Sequence, residues 1–208
     1  MIAPAKTIEP VVESERLRMT EDEFLEWYDE DIKAEWVDGE VIVHSPASII
    51  HVRLDKFLLK LFDDFVIERD LGEVLGPEFQ IRFAKLRRRR VPDILFVAKA
   101  RRDLIQRNHF EGAPDLIVEI VSPDSIARDW RVKYHEYESA GVREYWIVEP
   151  AEQRVEAYAL NADGQYEQIE PKHHTLYSTV LPGFFLKPEW LWQEPLPKVA
   201  DVLREMIG

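Results

Sequence analysis

At 208 residues, 46% hydrophobic and 32% charged, the chain is long enough to bury a substantial core and suits one domain, or one with a small appendage. The lack of cysteine excludes disulfides, zinc-thiolate centres and thiol nucleophiles and fits a reducing, cytoplasmic setting; no basic-then-apolar leader is visible, and no run nears the roughly 18 apolar residues of a membrane span. Net charge is −13, but residues 81–133 carry 13 basic and 7 acidic side chains while the flanking parts carry 14 and 33, so positive charge gathers in the middle third.

In chain order, residues 1–18 are mixed and proline-containing, which predicts a loose arm ahead of a single domain over 19–208. Thr20-Glu21-Asp22-Glu23 is a capping-box pattern opening a short helix through about Tyr28. Ala34 to Val43 holds Asp38-Gly39 between alternating runs, which predicts a β-hairpin stopped by Ser45-Pro46. Ser48 then caps a long amphipathic helix reaching about Arg69, with Ile50, Leu54, Phe57, Leu58, Leu61, Phe62 and Phe65 at core spacing. Gly72 and Gly76 bracket the approach to a strand near Phe79–Phe83. Lys85-Leu-Arg87-Arg88-Arg89-Arg90 follows and predicts the arginine-rich tip of a second hairpin.

Two short β-branched runs come next. Pro92-Asp93-Ile-Leu-Phe-Val97 and Asp115-Leu-Ile-Val-Glu119-Ile-Val121 read as buried strands separated by a polar excursion over 98–114. Alternation puts Asp93 on a face with Leu95 and Val97, and Glu119 with Ile117 and Val121. A carboxylate among aliphatic neighbours needs a partner to offset its lost hydration. Two such acids on neighbouring strands suggest a site. Ser122-Pro123-Asp124-Ser125 predicts a turn into a helix ending at Gly141, with Asp129, Lys133 and Tyr137 at i, i+4, i+8 on one face. Val142–Val148 reads as another buried strand, Val155–Leu160 and Gln165–Ile169 as a hairpin around Asn161–Gly164. Phe184, Phe185, Trp190 and Trp192 pack back on the sheet before a helix near Val199–Met206. Neither repeats nor low-complexity segments interrupt the chain.

Assembled in order, Ala34-Glu-Trp-Val-Asp-Gly-Glu40, His51, Val91–Val97, Pro114–Ser125, Lys133 with Tyr137, and Gly141–Pro150 resemble the Uma-type restriction endonuclease family, a branch of the PD-(D/E)XK nucleases. The resemblance covers roughly residues 20 to 190. It implies an α/β restriction-endonuclease-like core, a central mixed sheet flanked by helices, with Asp93 and Glu119 holding a divalent metal, Mg2+ or Mn2+, and Glu35 joining or supporting them. It also implies that the Ile120 carbonyl completes the ligand set. One departure stands out: the nuclease pattern has a lysine two residues after the second acid, and here that position is Val121. The resemblance assigns the amine to Lys133 on the following helix.

The chemistry suits these residue types. Phosphodiester cleavage needs an activated water and stabilisation of charge growing on an anion, which hard oxygen ligands, a divalent ion and an ammonium supply together. Arg87, Arg88, Arg89, Arg90, Arg128 and Arg131 are candidates for gripping the nucleic-acid backbone, DNA above RNA. Plainer readings exist for each residue. Asp93 suits a turn cap, Glu119 a salt bridge, Glu35 a solvated hairpin face, His51 a packed or capping role, and His173-His174 a surface loop. Two other functions remain open: a binding module or partner subunit that grips nucleic acid without cutting, which Val121 motivates, and a hydrolase of small phosphoesters. The C-terminal aromatics, Trp190 and Trp192 among them, suggest a homodimer face.

Overall fold

A computed structural model describes residues 17–29, 33–44, 46–121 and 129–208, the side chains of 129 and 130 excepted. Helix α1 spans Glu21–Trp27, and the hairpin β1 (Ala34–Val37) and β2 (Glu40–Val43) precedes helix α2 (Ile49–Glu68). Strands β3 (Gly72–Leu75), β4 (Gln80–Phe83), β5 (Arg88–Arg90), β6 (Ile94–Ala98), β7 (His109–Glu111) and β8 (Leu116–Ile120) follow. Helix α3 (Asp129–Ala140) leads to β9 (Glu144–Glu149), β10 (Arg154–Leu160), β11 (Tyr166–Gln168), β12 (Leu176–Tyr177), β13 (Phe185–Leu186) and helix α4 (Val199–Ile207).

Local chemistry explains the boundaries. Thr20 accepts from the Glu23 N–H at 3.2 Å while the Glu23 carboxylate accepts from the Thr20 N–H at 2.8 Å, the reciprocal bonds of a capping box. Asp38 (φ 51°) and Gly39 (φ 89°) both take left-handed conformations, as a type I′ hairpin turn demands. Ser48 accepts from the His51 N–H to start α2. At the end of α3, Gly141 N–H bonds the Glu138 carbonyl and Val142 N–H the Tyr137 carbonyl, a Schellman ending at a glycine with φ 85°. Gly72 meets a different demand: a Cβ there would lie 2.0 Å from the Val97 carbonyl oxygen, so β3 can close on β6 only with a glycine.

The central sheet has six strands in the order β11-β10-β9-β8-β6-β3, with β8 and β9 parallel and the other neighbours antiparallel. Alternation divides its side chains cleanly. Ile94, Phe96, Leu116, Val118, Trp146 and Val148 face α2, through Leu58, Leu61, Phe62 and Phe65, and the C-terminal segment through Phe184 and Trp190. Leu95, Val97, Ile117, Tyr145 and Ile147 face the other way, onto Tyr137 of α3 and onto Ile81, Phe83 and Phe110. Those last three belong to a second sheet, β2-β1-β5-β4-β7, that the strand pattern alone did not separate from the first.

Three expectations change here. Arg88–Arg90 are not a hairpin tip: they form β5, paired with β1 and β4, and the tip is the turn at Ala84–Leu86 with Arg87 after it. Trp190 is buried in the main core, so it is not a surface for a partner; Trp192 packs partly buried against the same core. The short strands β3 and β7 lie where approach and excursion segments were expected. Most of the proposed N-terminal arm, the turn at 122–125 and the first turn expected of the α3 helix lie outside the described residues.

Candidate active site

The site forms where the carboxyl end of β8, the start of β6, the β1–β2 hairpin, the first turns of α2 and the middle of α3 meet. Each element brings its groups for a local reason. The hairpin continues one pair beyond its strands, since His44 N–H donates to the Lys33 carbonyl, so Lys33 and Glu35 sit two apart on one strand face. Register between β1 and β5 (Trp36 opposite Arg89), continued by one pair, sets Glu35 beside Arg90. Helical spacing puts Lys133, Glu136 and Tyr137 on the inward side of α3, and His51 and Asp55 one turn apart on α2.

Asp93 is buried just ahead of β6. Its Oδ2 accepts from the Ile120 N–H at 2.8 Å, tying it to the adjacent strand; its Oδ1 lies 3.1 Å from Lys33 Nζ and 3.2 Å from His51 Nε2. Burial disfavours its charge, but His51, Lys33 and the amide together hold its pKa at about 2. Glu119 is the opposite case. Its Oε1 accepts from Lys133 Nζ at 2.9 Å and Tyr137 Oη at 2.7 Å. Even so, burial, with the charges of Asp93 and Glu35 adding to it, pushes its carboxyl above the usual range against the pull of Lys133.

Glu35 binds the two halves together. Its Oε1 lies 3.3 Å from Lys133 Nζ and accepts from the Val91 N–H at 3.1 Å; its Oε2 takes Arg90 Nη1 at 2.8 Å, with His44 Nε2 at 3.4 Å. Burial opposes its charge, yet Lys133, Arg90 and His44 hold it well below the usual carboxylate range. Arg90 also clamps Glu136 through Nη2 (2.6 Å) and Nε (2.8 Å), and Arg88 Nε reaches the same carboxylate at 3.2 Å. On the α2 side, burial and the charge of Asp93 raise Asp55 to about 6, and Asp55 Oδ1 and His51 Nδ1 are buried without a hydrogen-bond partner among the described residues.

Asp93, Glu119, Lys133 and Glu35 therefore come together, with Ile120 entering through its amide. The arginines do not. Arg89 and Arg90 have side chains only 4% exposed, and Arg89 is spent on Glu21 (2.7 Å) and Gln80 (3.1 Å), so neither is available to a nucleic-acid backbone. Arg88 is committed to Glu136, and Arg87 is exposed beside Asp38. Arg131 lies on the exposed side of α3, and Arg128 falls outside the described residues. Lys33 had no motif to mark it, although its i, i+2 relation to Glu35 on a strand was a usable signal. His51 does cap-region duty and also reaches Asp93, and Glu136 was missed altogether.

The donor chemistry fits a hard divalent ion. Two carboxylates belong to adjacent strand ends; burial is the main cause of the rise in Glu119, and the part added by the like charge of Asp93 is what a cation shared between them would relieve. No cluster of three His, Cys, Asp or Glu side chains is set for an ion among the described residues. An ion there would be held by Asp93 and Glu119, with oxygen atoms of water and phosphate completing its shell, as magnesium commonly is.

A mixed sheet covered by helices, with two buried acids at neighbouring strand ends and an ammonium joining the second acid to a hairpin glutamate, defines a restriction-endonuclease-like α/β protein. Residues 21–189 match the family profile described as "Uma2: Putative restriction endonuclease", and the chain belongs to that family. Among solved structures it is similar to "a putative nuclease belonging to DUF820" from Anabaena variabilis ATCC 29413, with a TM-score of 0.71 and 22% identity over 84% of this chain and 97% of that one. No curated protein matches. No helix among the described residues is long and apolar enough to cross a membrane.

Proposed function

We propose that the chain is a metal-dependent phosphodiester hydrolase, an endonuclease acting on nucleic acid, with DNA the first substrate to test. The observation that carries this is the convergence of Asp93, Glu119, Glu35 and Lys133, which come from the hairpin, two strands and a helix but meet through direct contacts or mutual charge. Hydrolysis joins a water oxygen to phosphorus and breaks one phosphorus–ester bond, leaving a phosphate on one strand end and a hydroxyl on the other. A magnesium or manganese ion between Asp93 and Glu119 would polarise the phosphoryl oxygen and acidify its bound water.

The chain's own residues prepare that chemistry. The Ile120 amide fixes Asp93, and Tyr137 and Lys133 fix Glu119, so both carboxylates are oriented before substrate arrives. Lys133 is held charged: burial opposes the ammonium, but Glu119 and Glu35 raise its pKa further still. A permanently protonated amine cannot take the proton of the attacking water, so its part is to neutralise and position the acids rather than to act as a base. The test is plasmid DNA with magnesium or manganese, with Asp93→Ala as control. Cleavage that disappears in the variant supports the reading; no cleavage with any divalent metal, or cleavage that survives the substitution, discards it.

One observation favours a second reading, a binding module that grips nucleic acid without cutting it: Val121 stands at the usual lysine position, and Lys133 is already engaged by two carboxylates. Calorimetric titration with manganese separates the two, because the binding module predicts no heat that depends on Glu119.

A further inference from the structure

Two lysines reach the site acids, and they are differently placed. Lys133 Nζ is shared by Glu119 (2.9 Å) and Glu35 (3.3 Å), its side chain is 9% exposed, and Tyr137 shares the same Glu119 oxygen. Lys33 Nζ touches Asp93 at 3.1 Å, and its side chain is 30% exposed, the most open of the basic groups that touch Asp93, Glu35 or Glu119. Its backbone is anchored by the His44 pairing, so the ammonium swings on a flexible stem from a fixed root.

We propose that Lys33 is a further catalytic residue, the amine that meets the substrate phosphate beside Asp93. This rests on the phosphodiesterase reading above and reassigns the task that the resemblance gave to Lys133. The geometry of Asp93 explains why Lys33 is the group free to turn. Asp93 Oδ1 is shared by Lys33 and His51, while Oδ2 is committed to the Ile120 amide. His51 is held on a helix and is less exposed, so when Asp93 takes on another charged neighbour, Lys33 is the donor that can leave it. An anionic phosphate arriving from solvent then receives an ammonium already within the site. No proton leaves Lys33 in this role: it offsets the negative charge that builds on the non-bridging oxygens as the water attacks.

The test uses the full chain with Lys33→Met, Lys33→Arg and Lys133→Met. Three quantities are measured: the plasmid cleavage rate with magnesium, the affinity for a deoxydinucleotide phosphodiester with calcium, and the thermal midpoint. Lys33→Met is expected to slow cleavage about a hundredfold and weaken dinucleotide binding while lowering the midpoint less than Lys133→Met does, and Lys33→Arg returns to within about tenfold of wild type. Lys133→Met is expected to lower the midpoint, because it leaves Glu119 and Glu35 buried without their shared cation. A Lys33→Met protein that cuts and binds like wild type overturns the inference. So does one whose loss follows a fallen midpoint and is not rescued by arginine, since that pattern marks a structural lysine. If wild type binds the dinucleotide through Lys33 but cuts nothing, the nuclease reading fails and the phosphate contact stands. If wild type neither binds nor cuts, both fall.

Discussion

The α3 side of the site and its α2 side are built on opposite principles. On the α3 side, Glu35, Glu119 and Glu136 are matched by Lys133, Arg90 and Arg88 in a buried, mutually hydrogen-bonded network. On the α2 side, Asp93 is matched by a partly exposed lysine and a histidine, and Asp55 and His51 each keep a buried polar atom without a hydrogen-bond partner among the described residues. The closed side fixes geometry, because removing any one member strands a charge in a low-dielectric interior. The open side keeps partners that can be exchanged. A site that must admit an anion and release it needs both.

The sharpest way to break this contrast is to cut the closed side at its centre. Arg90→Leu leaves Glu35 and Glu136 without their common partner and is expected to cost about 3–5 kcal/mol, read as a lower urea midpoint with an unchanged slope. A loss under about 1 kcal/mol would mean that the network is not a unit. Tyr137→Phe removes one donor to a buried carboxylate while sparing the ring that packs on Phe83 and Tyr145, and about 1.5–3 kcal/mol should be lost in the same measurement.

On the open side the expected change has the other sign. Asp55 ionises near pH 6 in the folded protein and lower when unfolded, so its contribution to stability is present below the ordinary carboxylate range and is lost as pH rises through about 6. Asp55→Asn, measured without divalent metal, should therefore raise the thermal midpoint at pH 8 and leave it nearly unchanged at pH 4. An equal gain at both values would trace the effect to packing instead of charge. Asp93, held at about 2, works the other way, adding stability above the ordinary range that disappears only as pH falls towards 2. The smallest effect belongs outside both regions. Arg87→Ala breaks an exposed pair with Asp38 and should shift stability by no more than about 0.5 kcal/mol.

Much of the fold was legible because it was written in short-range chemistry. Asp38-Gly39 permits the tight turn, Thr20 and Glu23 close a capping box, and the apolar spacing of α2 marks the face it buries. The site acids Asp93 and Glu119 were visible for a related reason: a carboxylate inside an aliphatic run is conspicuous. The arginine run misled because consecutive charges look solvated. Its burial depends on Glu21, Glu35 and Glu136, residues brought to it from α1, β1 and α3. Lys33 escaped notice since no motif marks one lysine before a hairpin, and its only local signal is the i, i+2 spacing to Glu35.

By itself the sequence determined where turns and helices begin and end, which strand faces are apolar, and which acids sit among aliphatic residues, since each depends on neighbours a few positions away. Only the tertiary structure decided which cations answer those acids and which of them stay open to solvent. Charge pairing depends on distance in space, and α2, α3 and the hairpin meet at Asp93 and Glu119 only after two sheets have packed together.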